Sequence, residues 1–249
     1  MKKIGIIPAR YASSRFPGKP LADICGKPMI QHVYEQSLKA GLDVLAVATD
    51  DKRIAECVTG FGGLAVMTSP LHNSGTERCF EASHALSSVQ EEDIIINIQG
   101  DEPFIDPAQI LLTASIFTDP EVEIATLVKK ITSVDELHDA NVVKAITDRF
   151  GFAIFFSRLP IPFCRDAENE NWLEFHLYLK HIGLYAYRAS ILKDLVKLGP
   201  SPLEQAEKLE QLRWIENGFK IKTALTDSQS ISIDTPADLE RARELFDEK

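Results

Sequence analysis

The sequence lacks the features that would place it in a membrane or an oxidising compartment. None of its apolar runs approaches the length that crosses a bilayer. Met1-Lys-Lys leads into a strand-like run rather than the apolar core of a signal peptide. The four cysteines, Cys25, Cys57, Cys79 and Cys164, form no C-x-x-C pair and have no metal-ligand spacing, so they read as reduced thiols of a cytoplasmic protein. A basic surplus is missing too. Lys and Arg number 27 against 37 Asp and Glu, a formal charge of -10 that argues against nucleic acid as a partner. There are no repeats or low-complexity tracts, no G-x-x-x-x-G-K-[ST] loop and no G-x-G-x-x-G dinucleotide fingerprint. What remains is an ordinary globular composition, 45% hydrophobic and 26% charged over 249 residues, enough for one large domain or two small ones.

One local absence stands against that acidic background. Between Met1 and Asp23 there is no acidic residue, while Arg10, Arg15 and Lys19 punctuate a loop of small residues. The loop follows a short buried strand ending at Ile7 and closed by Pro8, and Pro17-Gly18 sets a turn before the lysine. Small residues let backbone N–H groups approach an anion, and Arg and Lys supply charge and directed donors. A triphosphate suits such a loop; a solvated basic terminus is the plainer alternative.

Beyond it, strand and helix alternate. A helix opened by Pro28 ends before Gly41, Val44–Ala48 reads as a strand, Thr49–Asp51 starts a helix that ends at Gly60, and Ala65–Met67 is a third strand. The pattern predicts an α/β, Rossmann-like fold with a mostly parallel sheet flanked by helices, and ligands beyond the carboxyl ends of the strands. Ser74-x-x-Glu77 reads as a capping box, with Gly75 leaving the helix end open and Arg78 in its first turn. Ile94–Ile98 runs into Gln99-Gly-Asp-Glu-Pro103, and because Asp106 caps the next helix, Asp101 is left over. A hard Mg²⁺ ion takes such a carboxylate together with phosphate oxygens and water.

After Ile124–Val128 the rhythm breaks. Val142–Ile146 and Phe152–Phe156 read as an antiparallel pair, and a long loop precedes the strand His181–Tyr187. The whole chain, 1–249, is read as one domain, with 131–188 an antiparallel excursion that covers a second substrate and forms a dimer surface. Leu203–Asn217 reads as one helix and Ile231–Ile233 as a last strand. At the final helix start, Thr235 is the N-cap and Asp238 completes the box. Asp234 is then explained by the helix dipole or by a ligand, and Asp238 is expected to be replaceable by Asn without loss of activity.

Several of these stretches carry a resemblance. Pro8-Ala-Arg-Tyr-Ala-Ser-Ser-Arg-Phe-Pro-Gly-Lys-Pro-Leu21, Gln99-Gly-Asp-Glu-Pro103, Pro202-Leu-Glu-Gln-Ala-Glu-Lys-Leu-Glu-Gln-Leu-Arg213 and Asp234-Thr-Pro236 resemble, in order and spacing, the sugar nucleotidyltransferases. They are most similar to the cytidylyltransferases that activate 3-deoxy-manno-octulosonate (Kdo). Ser14 and Phe16 stand where that family more often has Thr and Leu.

The resemblance implies transfer of CMP from CTP to the anomeric hydroxyl of Kdo by a homodimer using Mg²⁺. The same chemistry on a sialic acid or an amino-Kdo, or a non-catalytic CTP sensor, are the alternatives. It implies that Ala9, Arg10, Ser14, Arg15, Lys19 and Gly75 hold CTP, that Asp101 and Asp234 hold the metal, and that Lys19 acts in catalysis with both. Arg78, Gln99, His181, Tyr185, Glu210 and Gln211 would hold the sugar. For His181 and Tyr185 a packed strand face, and for Glu210 an acidic helix face, explain the residues equally simply.

Overall fold

The computed structural model describes residues 1–12, 16–87, 89–228 and 231–247. Its first half alternates as the sequence predicts. β1 (Lys3–Ala9) is followed by a short hairpin, β2 (Asp23–Ile24) and β3 (Lys27–Pro28), and then α1 (Met29–Leu38), β4 (Val44–Thr49), α2 (Lys52–Gly60), β5 (Leu64–Met67), α3 (Gly75–Ala85), β6 (Ile94–Asn97) and α4 (Pro107–Ser115). The later elements are β7 (Ile124–Lys130), α5 (Val134–His138), β8 (Lys144–Thr147), β9 (Ala153–Ser157), α6 (Trp172–Phe175), β10 (Leu179–Arg188), α7 (Ala189–Leu195), α8 (Pro202–Glu207), α9 (Glu210–Glu216), β11 (Ile221–Leu225) and α10 (Pro236–Asp247).

These elements form two compact units, one of Met1–Leu111, Tyr187–Val196 and Gln229–Lys249, the other of Leu112–Ala186 and Lys197–Ser228. In the first, the strand order is β6-β1-β4-β5, with β1 paired parallel to both β4 and β6. Ile4, Ile6, Ile7, Ala46, Val47, Ile95 and Ile96 are fully buried, the unbroken apolar character of parallel strands covered on both faces. β1 does not stop at Ile7 but runs through Pro8 to Ala9. Its register with β4 continues to Ala9↔Thr49, whereas that with β6 ends at Ile6↔Asn97, so the N–H that proline lacks falls where β6 offers no ladder partner.

In the second unit β7 lies between β11 and β10, β11 is parallel to β7, and β8 pairs antiparallel with β9 and β10. The expected antiparallel pair is therefore present. The expected single helix Leu203–Asn217 is not: it is broken at Lys208, which adopts a left-handed φ of 54°. Tertiary bonds decide this against helix propensity. The Glu207 carboxylate accepts from Ser157 Oγ and Arg158 N at 2.8 and 2.9 Å, and its carbonyl accepts from Arg158 Nε at 2.7 Å. Ile231–Ile233 also departs from the prediction, since no strand is formed there. Its one described backbone bond to β6's side of the unit runs from Ile233 N to the Asp101 carbonyl, 2.9 Å.

Candidate active site

The carboxyl ends of β1 and β6, the loop after β5 and the segment before α10 enclose a cavity of about 280 Å³ in the first unit. From β1 come Pro8, Ala9 and Arg10, from the following loop Lys19 and Pro20, from the start of α3 His72 to Gly75 and Arg78, and from the end of β6 Gln99, Gly100 and Asp101, with Asp234 beside them. Strand ends supply these residues because parallel strands all point their carboxyl ends to one edge of the sheet. Gly100 is needed for close approach: a Cβ there would fall 2.8 Å from the Pro8 carbonyl oxygen.

At the centre, Lys19 Nζ donates to Asp101 Oδ2 at 2.7 Å and to Asp234 Oδ1 at 3.4 Å. Two carboxylates more than a hundred residues apart in sequence thus converge on one cationic group. The Ile233–Asp101 backbone bond brings the two segments together. A second constraint comes from Asp238, whose Oδ2 accepts from Asp234 N at 3.2 Å, Thr235 N at 2.9 Å and Thr235 Oγ1 at 2.8 Å. The Thr235 hydroxyl, followed by these backbone amides, holds the Asp238 carboxyl below its ordinary pKa. The expected capping box is formed, and it also fixes the backbone of Asp234.

The α3 end of the cavity is built differently from the sequence reading in one respect. Ser74 Oγ accepts from Glu77 N as expected, but the Glu77 carboxylate accepts from Asn73 N, at 2.7 Å, rather than from the N–H of the cap residue. His72, which the sequence reading passed over, has its Nε2 against Glu81 and its Nδ1 3.6 Å from Glu77. The backbone N–H of Ser69, then His72, hold the Glu81 carboxyl below its usual range. A lone histidine nine residues before a glutamate gives no signal until the loop is folded back on the helix. Arg78 is buried, with Nη1 donating to Thr68 Oγ1 at 2.6 Å and lying 3.5 Å from Asp50 Oδ1.

The structure therefore gathers Ala9, Arg10, Lys19, Gly75, Arg78, Gln99, Asp101 and Asp234 around one cavity. Ser14 and Arg15 lie outside the described residues. His181, Tyr185, Glu210 and Gln211 belong to the second unit. There the His181 ring packs 5.1 Å from Tyr185 and its Nε2 lies 2.9 Å from Thr126 Oγ1, while Tyr185 meets Trp214 edge-on at 5.1 Å. His181 is only partly shielded from solvent, and the desolvation that this packing imposes pushes its pKa down to about 3. Gln211 is buried and Glu210 opens α9.

Comparison with known proteins gives a consistent result. The cytidylyltransferase family model matches residues 4–221. A 3-deoxy-manno-octulosonate cytidylyltransferase of Parabacteroides distasonis is 54% identical over 246 residues, covering 97% of each chain. One from Geobacter metallireducens is 49% identical, covering 98% of this chain and 97% of its own. Among solved structures, a CMP:2-keto-3-deoxy-manno-octonic acid synthetase complexed with CTP superposes with a TM-score of 0.91 at 44% identity, covering 100% of this chain and 99% of that one. A glucose-1-phosphate thymidylyltransferase from Bacillus anthracis shares the fold alone, at 16% identity and a TM-score of 0.63 over 97% of this chain and 94% of its own. The chain belongs to the cytidylyltransferase family.

Proposed function

We propose that this enzyme transfers CMP from CTP to the anomeric 2-hydroxyl of Kdo, forming CMP-Kdo and pyrophosphate for lipopolysaccharide biosynthesis. The substrates are supported by full-length relatives whose names carry this activity and by the related structure that holds CTP. The observation that carries the reaction class is the meeting of Asp101 and Asp234 at the Lys19 ammonium, within a cavity that also presents Arg10 and the start of α3.

In the reaction, the sugar hydroxyl oxygen bonds to the α-phosphorus and the bond from that phosphorus to the bridging oxygen breaks. Pyrophosphate leaves with the electron pair, and the hydroxyl proton passes to solvent. Two anions have to be brought together in line, so positioning and charge neutralisation are the enzyme's task. Arg10, Arg15 and Lys19 hold the triphosphate, with Ala9, Ser14 and Gly75 closing on the nucleotide. Arg78 and Gln99 are the cavity's contacts for the acceptor sugar; His181, Tyr185, Glu210 and Gln211, which only the family resemblance assigns to the sugar, belong to the second unit.

Two hard carboxylate oxygens that already converge on a cationic group fit a Mg²⁺ ion, and Asp101 and Asp234 would hold it. Such an ion, when bound, would supply charge neutralisation for the phosphates and a lowered pKa for the attacking hydroxyl. The test is pyrophosphate release with each of the four nucleoside triphosphates, paired with Kdo, 8-amino-Kdo and a sialic acid. CTP with Kdo should be the preferred pair. Preference for another sugar acid would replace the acceptor, and CTP binding without release from any pair would leave a sensor.

A further inference from the structure

Asn97, the last residue of β6, is 4% exposed, and its Oδ1 has no hydrogen-bond partner among the described residues. Buried acceptors in folded proteins are nearly always satisfied, so one left over directly behind a residue that lines a cavity points to a donor that arrives with a ligand. Its placement supports this. Asn97 ends β6, and two residues on, Gln99 lines the cavity. Gly75 lines it as well, and a Cβ on Gly75 would lie 3.4 Å from Asn97 Nδ2 and 3.6 Å from Oδ1. With no side chain at Gly75, only bare backbone lies between the buried carboxamide and the cavity on that side. An acceptor oxygen cannot pair with a phosphate or a carboxylate, because neither offers a hydrogen.

We propose that Asn97 is a specificity-determining residue whose Oδ1 accepts a hydrogen bond from a hydroxyl of the bound substrate, reached past Gly75. This rests on the reading of the cavity as the CTP and sugar site. Two sources share the chemistry, the ribose of the nucleotide and the polyol of the sugar acid. The experiment compares steady-state constants of the wild type and Asn97→Leu for CTP, 2′-deoxy-CTP, 3′-deoxy-CTP and Kdo.

Loss of one neutral hydrogen bond is expected to raise the KM of one natural substrate roughly tenfold, with the other substrate's KM and kcat nearly unchanged. If the ribose is the source, the matching deoxynucleotide carries that penalty in the wild type and no further penalty in Asn97→Leu. If the sugar is the source, the Kdo constant moves and both proteins rank the nucleotides alike. Asn97→Ala, which also removes the acceptor, serves for the same comparison if the leucine variant fails to fold. Unchanged constants, or an equal rise for both substrates, would overturn the assignment while leaving the enzyme's function standing. A wild type inactive with every pair would overturn the functional reading, and this inference with it.

Discussion

At the scale of single residues, the site depends on charges that have been forced together. Lys19 neutralises Asp101 and Asp234 at once, with side-chain exposures of 14%, 28% and 39%. Lys19→Ala therefore removes the counter-charge of two acids and, with it, the cation proposed to hold the triphosphate. By comparison with the loss of one transition-state donor, turnover should fall roughly 10²–10³-fold at saturating CTP, read from pyrophosphate release. Asp234→Asn keeps the size and removes the charge; it should fold normally, lose most activity and shift the magnesium titration to higher concentrations. A wild-type magnesium curve in that variant would rule out the two-carboxylate site.

His181 makes a prediction about stability instead. Its folded pKa of about 3 lies below the ordinary 6.5, so below pH 6.5 the unfolded chain binds a proton that the folded one refuses. Its contribution is thus present above pH 6.5 and is lost progressively as pH falls towards 3. Thermal melts of His181→Gln at about pH 7.5 and 4.5 should show a smaller acid loss than the wild type, and equal losses would contradict this. Such residue-level facts are the least legible in sequence. Nothing in the run His72-Asn-Ser-Gly tells that the imidazole meets Glu81, and Asn97 is indistinguishable from any polar residue at a strand end until Gly75 is seen against it.

At the scale of elements, legibility follows the reach of the forces involved. β1, β4 and β6 could be read because burial on both faces leaves an apolar run, and α2 because Asp51 caps it locally, accepting from Arg53 N. The break at Lys208 could not, because it is imposed by Arg158 and Ser157, about fifty residues earlier. The apolar neighbours Ile231 and Ile233 predict a strand that ends at Asp234. No ladder forms; one backbone bond from Ile233 to Asp101 and the bond from Asp234 N to Asp238 do the positioning instead. The start of α10 changes one expectation about mutants. Asp238 is no neutral control, since its carboxylate takes the N–H of Asp234 as well as those of its own cap. Asp238→Ala should cost about 1 kcal/mol in denaturant melts, as capping losses do, and raise the magnesium needed for half-maximal turnover. A stability loss with an unaltered magnesium response would confine Asp238 to capping.

At the scale of the whole molecule, the chain carries a charge of -10 and still gathers Arg10, Lys19 and Arg78 around one cavity, so local placement opposes the overall field where anions have to bind. No helix among the described residues is long and apolar enough to cross a membrane. The second unit exposes large apolar side chains, Phe150, Ile154 and Leu159 at 61%, 55% and 68% on and beside the β8–β9 hairpin. Contact with a second copy would cover them, and a homodimer is the expected state. Sedimentation velocity should find twice the chain mass, falling towards one chain in a Phe150→Glu, Ile154→Lys double variant; a monomeric wild type would refute the dimer.

The fate of the α-phosphate defines the reaction. It is tested most directly by incubating the purified protein with Kdo, Mg²⁺ and CTP labelled with ³²P at either the α or the γ position, then separating the products. The α-label should appear in CMP-Kdo and the γ-label in pyrophosphate, in equal amounts. Label from the γ position on the sugar, or α-label recovered only as free CMP, would contradict it.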